Sequence, residues 1–189
     1  MISSNGGINF EMVVINHKIK GAVQMRSPNQ DERPSDEISL IVLHGISLPA
    51  GKYGGPEVCE LFTNCLDTRA DDFNGLEGLR VSSHLFIRRT GEVIQFVPFN
   101  RRAWHAGVSV FKGRECCNDF SIGIELEGTD TTPYDKKQYE TLADVCSALM
   151  TQYRMTDITG HSEVAPGRKT DPGPAFNWDT LRILLAKVS

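Results

Sequence analysis

The chain has 189 residues, 40% hydrophobic and 23% charged, with a formal net charge of -4. That length suits one domain able to bury a sizeable core, and the acidic balance speaks against nucleic acid as a partner. No apolar run approaches the roughly 20 residues of a membrane span. The run at residues 12–15 is too short and wrongly flanked for a secretion signal.

Residues 1–37 are polar and read as an irregular arm laid on the surface. Residues 38–43 (Ile-Ser-Leu-Ile-Val-Leu) form an apolar run of strand length, expected to be covered on both faces, and His44 and Gly45 stand where it ends. Gly54, Gly55 and Pro56 open a helix, with Pro56 at the first helical position and Val58, Leu61, Phe62 and Cys65 on one face. Residues 67–78 form an acidic loop. A strand over 80–89, a turn at Thr90 and Gly91, and a return over 92–98 make a hairpin.

Residues 120–127 (Phe-Ser-Ile-Gly-Ile-Glu-Leu-Glu) alternate, with Phe120, Ile122, Ile124 and Leu126 on one face and Ser121, Gly123, Glu125 and Glu127 on the other. Thr132 and Pro133 start a helix whose buried stripe is Tyr139, Leu142, Cys146, Leu149 and Tyr153. A short strand over 158–161 follows. Asn177 caps a closing helix with Trp178, Leu181, Leu184 and Leu185 inward. Strands and helices alternate, which predicts an α/β fold: one domain over 38–189 with a central mixed sheet flanked by helices. The five cysteines, Cys59, Cys65, Cys116, Cys117 and Cys146, are odd in number and lack zinc-finger spacing, which predicts reduced thiols in a cytosol.

Residues 161–174 (His-Ser-Glu-Val-Ala-Pro-Gly-Arg-Lys-Thr-Asp-Pro-Gly-Pro) put His161, Lys169 and Asp171 on one loop. Imidazole and carboxylate suit Zn²⁺, and a lysine beside them suits a developing oxyanion. Pro172 restricts the backbone of Asp171. His44, after a buried strand, lies where α/β folds place ligand-binding groups, though a structural histidine fits as well. His17 reads as solvated and His84 as a core histidine, while His105 could orient a loop. Glu125 lies mid-strand with Gly123 on the same face, where the glycine leaves space beside the carboxylate. A solvated outer face explains Glu125 and Glu127 equally well.

Six ordered segments resemble the zinc-dependent N-acetylmuramoyl-L-alanine amidases. They are 42–49 (Val-Leu-His-Gly-Ile-Ser-Leu-Pro), 53–56 (Tyr-Gly-Gly-Pro), 79–84 (Leu-Arg-Val-Ser-Ser-His), 102–109 (Arg-Ala-Trp-His-Ala-Gly-Val-Ser), 118–130 (Asn-Asp-Phe-Ser-Ile-Gly-Ile-Glu-Leu-Glu-Gly-Thr-Asp) and 168–174 (Arg-Lys-Thr-Asp-Pro-Gly-Pro). The resemblance implies the fold those amidases share with peptidoglycan recognition proteins, and one zinc ion held by His44, His161 and Asp171. It implies that Glu125 and Lys169 are catalytic and that Arg80, His84, Trp104 and Arg168 line the substrate cleft. Where the family pattern has asparagine after its first histidine ligand, this chain has Gly45, so a substrate hydrogen bond is absent or supplied elsewhere.

The activity implied is hydrolysis of the amide between N-acetylmuramic acid, in its 1,6-anhydro form, and L-alanine. The partner implied is a soluble anhydromuropeptide, met by a cytoplasmic monomer during cell-wall recycling. The alternatives are a lytic amidase acting on intact wall and a muropeptide-binding module without catalysis. Retention of all three ligand positions argues against the last.

Overall fold

A six-stranded mixed sheet organises the molecule. The computed structural model describes residues 12–155 and 157–188. In chain order its strands are β1 (Val14–Ile15), β2 (Lys18–Ile19), β3 (Val23–Gln24), β4 (Gln30–Glu32), β5 (Leu40–Ile46), β6 (Leu85–Ile87), β7 (Val93–Gln95), β8 (Arg101–Ala103), β9 (Val110–Phe111), β10 (Arg114–Glu115), β11 (Ser121–Glu127) and β12 (Asp157–Gly160). The α-helices are α1 (Glu57–Phe62), α2 (Lys136–Tyr153), α3 (His161–Val164) and α4 (Trp178–Val188).

The main sheet runs β12-β5-β11-β6-β7-β3. β5 and β11 are parallel at its centre, β12 and β6 are parallel to them, and the β6–β7 hairpin supplies the antiparallel pair. Central position explains the unbroken burial of β11. Ile122, Ile124 and Leu126 join Ile41, Leu43, Leu85 and Ile87 under the apolar stripe of α2 and Leu181 of α4. Each such aliphatic side chain contributes roughly 1.5–3 kcal/mol by leaving water. The opposite face packs Phe86, Ile94 and Phe96 against α1, and Leu40 and Val42 against Ala106, Phe120 and Val164. The face carrying Glu125 and Glu127 is therefore covered as well, and the solvated reading of these carboxylates is wrong. Glu127 is a structural acid: it accepts from the Gly54 and Arg89 N–H groups and pairs with Arg88.

Several local expectations shift. Residues 12–37 are more ordered than an irregular arm: β3 extends the main sheet beside β7, and β4 pairs with β8. Arg33 donates to the carbonyls of Phe99, Asn118, Asp119 and Ser121, which ties this segment to the turn before β11. The first eleven residues of the arm lie outside the described region. The strand expected over 80–89 is regular only at Leu85–Ile87. Pro56 is the N-cap of α1, one position before the helix. Helix α2 starts at Lys136, because Asp135 is the N-cap and Gln138 returns its side-chain oxygen to the Asp135 N–H at 3.0 Å. A capping box of this kind outcompetes the expected start at Thr132. His161 opens α3 where a strand end was expected. Asn177 caps α4 as expected, accepting from Thr180 N–H at 2.9 Å.

Candidate active site

Strand register brings the chemistry to one end of the sheet. β11 aligns Glu125 with His44 of β5, so the two side chains stand next to each other on one face. β12 aligns Gly160 with Leu43, and the next residue, His161, therefore opens α3 level with His44. Glu163 fixes that entry by accepting from the Gly160 N–H at 2.8 Å. The chain then loops outward and returns. The Ser162 N–H donates to the Asp171 carbonyl at 2.9 Å, and the Tyr134 hydroxyl donates to the Pro172 carbonyl at 2.9 Å. The peptide between Asp171 and Pro172 is cis.

Three donor atoms converge as a result. His44 Nδ1 and His161 Nδ1 are 2.9 Å apart, and Asp171 Oδ2 lies 3.2 Å from the first and 3.1 Å from the second. His161 Nε2 faces the Ala106 carbonyl at 3.2 Å, which can only accept. The ring proton of His161 therefore sits on Nε2, and Nδ1 turns a lone pair toward its neighbours. Burial pushes His44 down to about 4, so its ring is neutral at pH 7. Ligands about 2.0–2.1 Å from a tetrahedral zinc would be about 3.3 Å apart, close to the separations seen here. Two imidazoles and one carboxylate are also a donor set that zinc takes, with a fourth position left for water. The three residues are a group compatible with a metal site.

Glu125 stands beside this group. Its Oε1 is 4.0 Å from His44 Nδ1, and its buried Oε2 has no hydrogen-bond partner among the described residues. Burial, helped by the Asp171 carboxylate, raises its carboxyl well above the ordinary range, and the Lys169 ammonium opposes that rise. A carboxylate that is desolvated, unpartnered and next to a metal-type ligand set is the pattern expected of a proton-transfer group. Lys169 is exposed at the end of the His161–Asp171 loop, and its charge is felt at both His44 and Glu125.

The residues expected to line the cleft divide. Arg80 is exposed and free of any ion pair among the described residues. Trp104 is half-buried, its backbone held by Ser82. Arg168 spends one nitrogen on the chain itself, donating from Nη2 to the carbonyls of Ala106 and Val108 at 2.6 and 2.7 Å. His84 is 0% exposed, accepts from the Gly123 N–H at Nδ1, and meets the Arg101 carbonyl with Nε2. Both ring nitrogens therefore meet groups of the chain itself, Nε2 also lying 3.1 Å from Arg33 Nη2, and a place for His84 in the cleft rests on the resemblance alone. His105, read as a loop-orienting residue, instead faces His44. The space that Gly123 leaves is filled by the His105 ring, not by the Glu125 carboxylate; a Cβ at 123 would lie 2.6 Å from His105 Nδ1. Asn118, quoted in the sequence only as the first residue of segment 118–130, has a part of its own. Its Oδ1 accepts from the N–H groups of both His105 and Ala106.

This fold, with a His-His-Asp group compatible with a metal beside a buried carboxylate, is that of an amidase class of hydrolase, and sequence comparison agrees. The N-acetylmuramoyl-L-alanine amidase family profile matches residues 33–174, and the chain belongs to that family. It is 54% identical over 171 residues to the 1,6-anhydro-N-acetylmuramyl-L-alanine amidase AmpD of Escherichia coli K12, covering 88% of this chain and 93% of the relative. Among solved structures, a selenomethionine derivative of AmpD superposes with a TM-score of 0.90 at 52% identity, covering 92% of this chain and 99% of the other. The Escherichia coli amidase AmiD, solved with anhydro-N-acetylmuramic acid-L-Ala-D-γ-Glu-L-Lys, superposes with a TM-score of 0.59 at 25% identity, covering 92% of this chain and 65% of the other.

Proposed function

We propose that this N-acetylmuramoyl-L-alanine amidase hydrolyses the amide between 1,6-anhydro-N-acetylmuramic acid and L-alanine in soluble muropeptides. It would do so with one zinc ion on His44, His161 and Asp171, in the cytoplasm, as a step of cell-wall recycling. The observation that carries the reading is the convergence of those three donor atoms beside the unpartnered Glu125 carboxylate, in a chain that matches AmpD over nearly its whole length. Five unpaired cysteines, two of them exposed, fit a reducing compartment.

When bound, zinc would acidify a water molecule and polarise the scissile carbonyl. The remaining work falls to the chain. Glu125, adjacent to His44 and short of a partner at Oε2, takes the proton of the attacking water and returns it to the departing alanine nitrogen. Lys169 places positive charge where the carbonyl oxygen becomes negative. Arg80 and the uncommitted Nη1 side of Arg168 offer guanidinium groups to the carboxylates of the stem peptide. Trp104 offers an apolar surface to the sugar or lactyl group.

Incubation with purified anhydromuropeptide and with intact sacculi, followed by mass analysis, tests the reading. The expected products from the soluble substrate are free stem peptide and anhydro-N-acetylmuramic acid, released much faster than peptide from sacculi. Comparable rates on both would favour wall lysis. Absence of release from either by zinc-loaded protein would leave a binding module.

A further inference from the structure

We propose that His105 is a positioning residue for the metal site, locking His44 in the tautomer that offers Nδ1 to the metal. The inference rests on the zinc reading above and extends it to residues that touch no metal.

The argument runs along one line of hydrogen bonds. The Cys117 carbonyl can only accept, and it lies 2.5 Å from Ser121 Oγ, so the Ser121 hydroxyl proton is committed there. Ser121 Oγ is then left as an acceptor for His105 Nε2, 3.2 Å away. With its proton on Nε2, neutral His105 must accept at Nδ1. That atom lies 3.0 Å from His44 Nε2, so His44 Nε2–H is the donor. His44 Nδ1 is left with a free lone pair, aimed at His161 Nδ1 and Asp171 Oδ2. Each polarity follows from the one before it, from a main-chain carbonyl on one side to the ligand atom on the other.

His161 is fixed from the same stretch of chain, since its Nε2–H donates to the carbonyl of Ala106, the neighbour of His105. Residues 105 and 106 therefore back both ligand histidines, and Asn118 Oδ1 clamps their two N–H groups at 3.2 and 2.8 Å. Every polar atom in this line is buried: His44, His105 and Ser121 are 1%, 8% and 0% exposed. Gly123 completes the arrangement, because any side chain there would overlap the His105 ring. Outer partners of metal-bound histidines typically change metal affinity by about 10–100-fold when removed.

The test starts from the zinc content of the wild-type protein, whose absence would sink the metal reading itself and not this inference alone. With zinc present, imidazole ¹⁵N–¹H correlation spectra of the loaded wild-type protein read the tautomers directly. His105 is expected to be protonated at Nε2 and bare at Nδ1, and the opposite tautomer overturns the proposal. Chelator competition then compares two variants. His105→Leu, with no acceptor, is expected to bind zinc about 10–100-fold more weakly. His105→Asn, whose Oδ1 can take the place of Nδ1, is expected to recover most of that loss. Unchanged affinity in His105→Leu, or equal losses in both variants, would make His105 a packing residue. If His105→Leu does not fold, the tautomer spectra of the wild type decide alone.

Discussion

Gly45 and Tyr134 share one space: a Cβ on Gly45 would overlap the Tyr134 hydroxyl, which donates to the Pro172 carbonyl next to Asp171. The absent side chain at 45 is what lets this tyrosine pin the ligand loop. Gly45→Ala should therefore destabilise the protein by about 1–3 kcal/mol through overpacking. Tyr134→Phe should cost about 1–3 kcal/mol by leaving a carbonyl without its donor. In the double variant the hydroxyl is gone, and the alanine should cost clearly less than it does alone. Urea unfolding of the four proteins measures the coupling, and simple additivity would show that the two residues act independently.

Asp171→Ala removes one of three donor atoms. Most bound zinc and nearly all amidase activity should be lost together. Elemental analysis after gel filtration checks this, and full zinc occupancy in the variant would remove Asp171 from the ligand set.

Glu125→Gln should keep zinc and fold but lose about 10²–10⁴ in turnover, the range for a general acid-base group. A second consequence concerns stability without metal. The folded-state carboxyl is raised by burial and by Asp171, so the folded protein holds its proton to higher pH than the unfolded chain does. Metal-free wild type must then lose stability as pH climbs from the unfolded value of about 4.3 toward the raised folded value. Glu125→Gln lacks that loss. Its advantage over wild type in EDTA should widen as pH rises above the unfolded value of about 4.3 in urea titrations, and a constant gap would contradict the raised carboxyl.

Lys169→Met should retain zinc and lower kcat by about 10²–10³ with little change in KM, because charge develops on the carbonyl oxygen only as the bond is attacked. An increase in KM with kcat intact would reassign Lys169 to substrate binding.

The grouping of His44, His161 and Asp171 comes from the resemblance carried by six ordered segments, since the residues alone leave His44 open as a structural histidine; the structure does bring the three donor atoms together. The register that joins them is less legible, since the alignment of Gly160 with Leu43 is a property of strand pairing and not of either sequence. Glu125 and Glu127 show the limit most clearly. Alternation told which residues share a face but not whether that face is covered, and here α1 and the segment around Ala106 cover it. His84 and His105 were ambiguous for a related reason. A histidine's part depends on which nitrogen meets a donor and which an acceptor, and their partners lie 16–61 residues away.

Arg33 also fixes how short the protein can be made. Its guanidinium serves four main-chain carbonyls, on Phe99, Asn118, Asp119 and Ser121, and Asn118 and Ser121 are the same residues that brace His105. A truncated chain beginning at residue 38 would keep His44, His161 and Asp171 yet take a charged donor away from each of those carbonyls. Hydrogen bonds to charged groups contribute about 1.5–3 kcal/mol each, against a whole-protein margin of about 5–15 kcal/mol. The smallest piece that folds on its own therefore has to start upstream of Arg33, even though the donor atoms of His44, His161 and Asp171 all lie downstream of it.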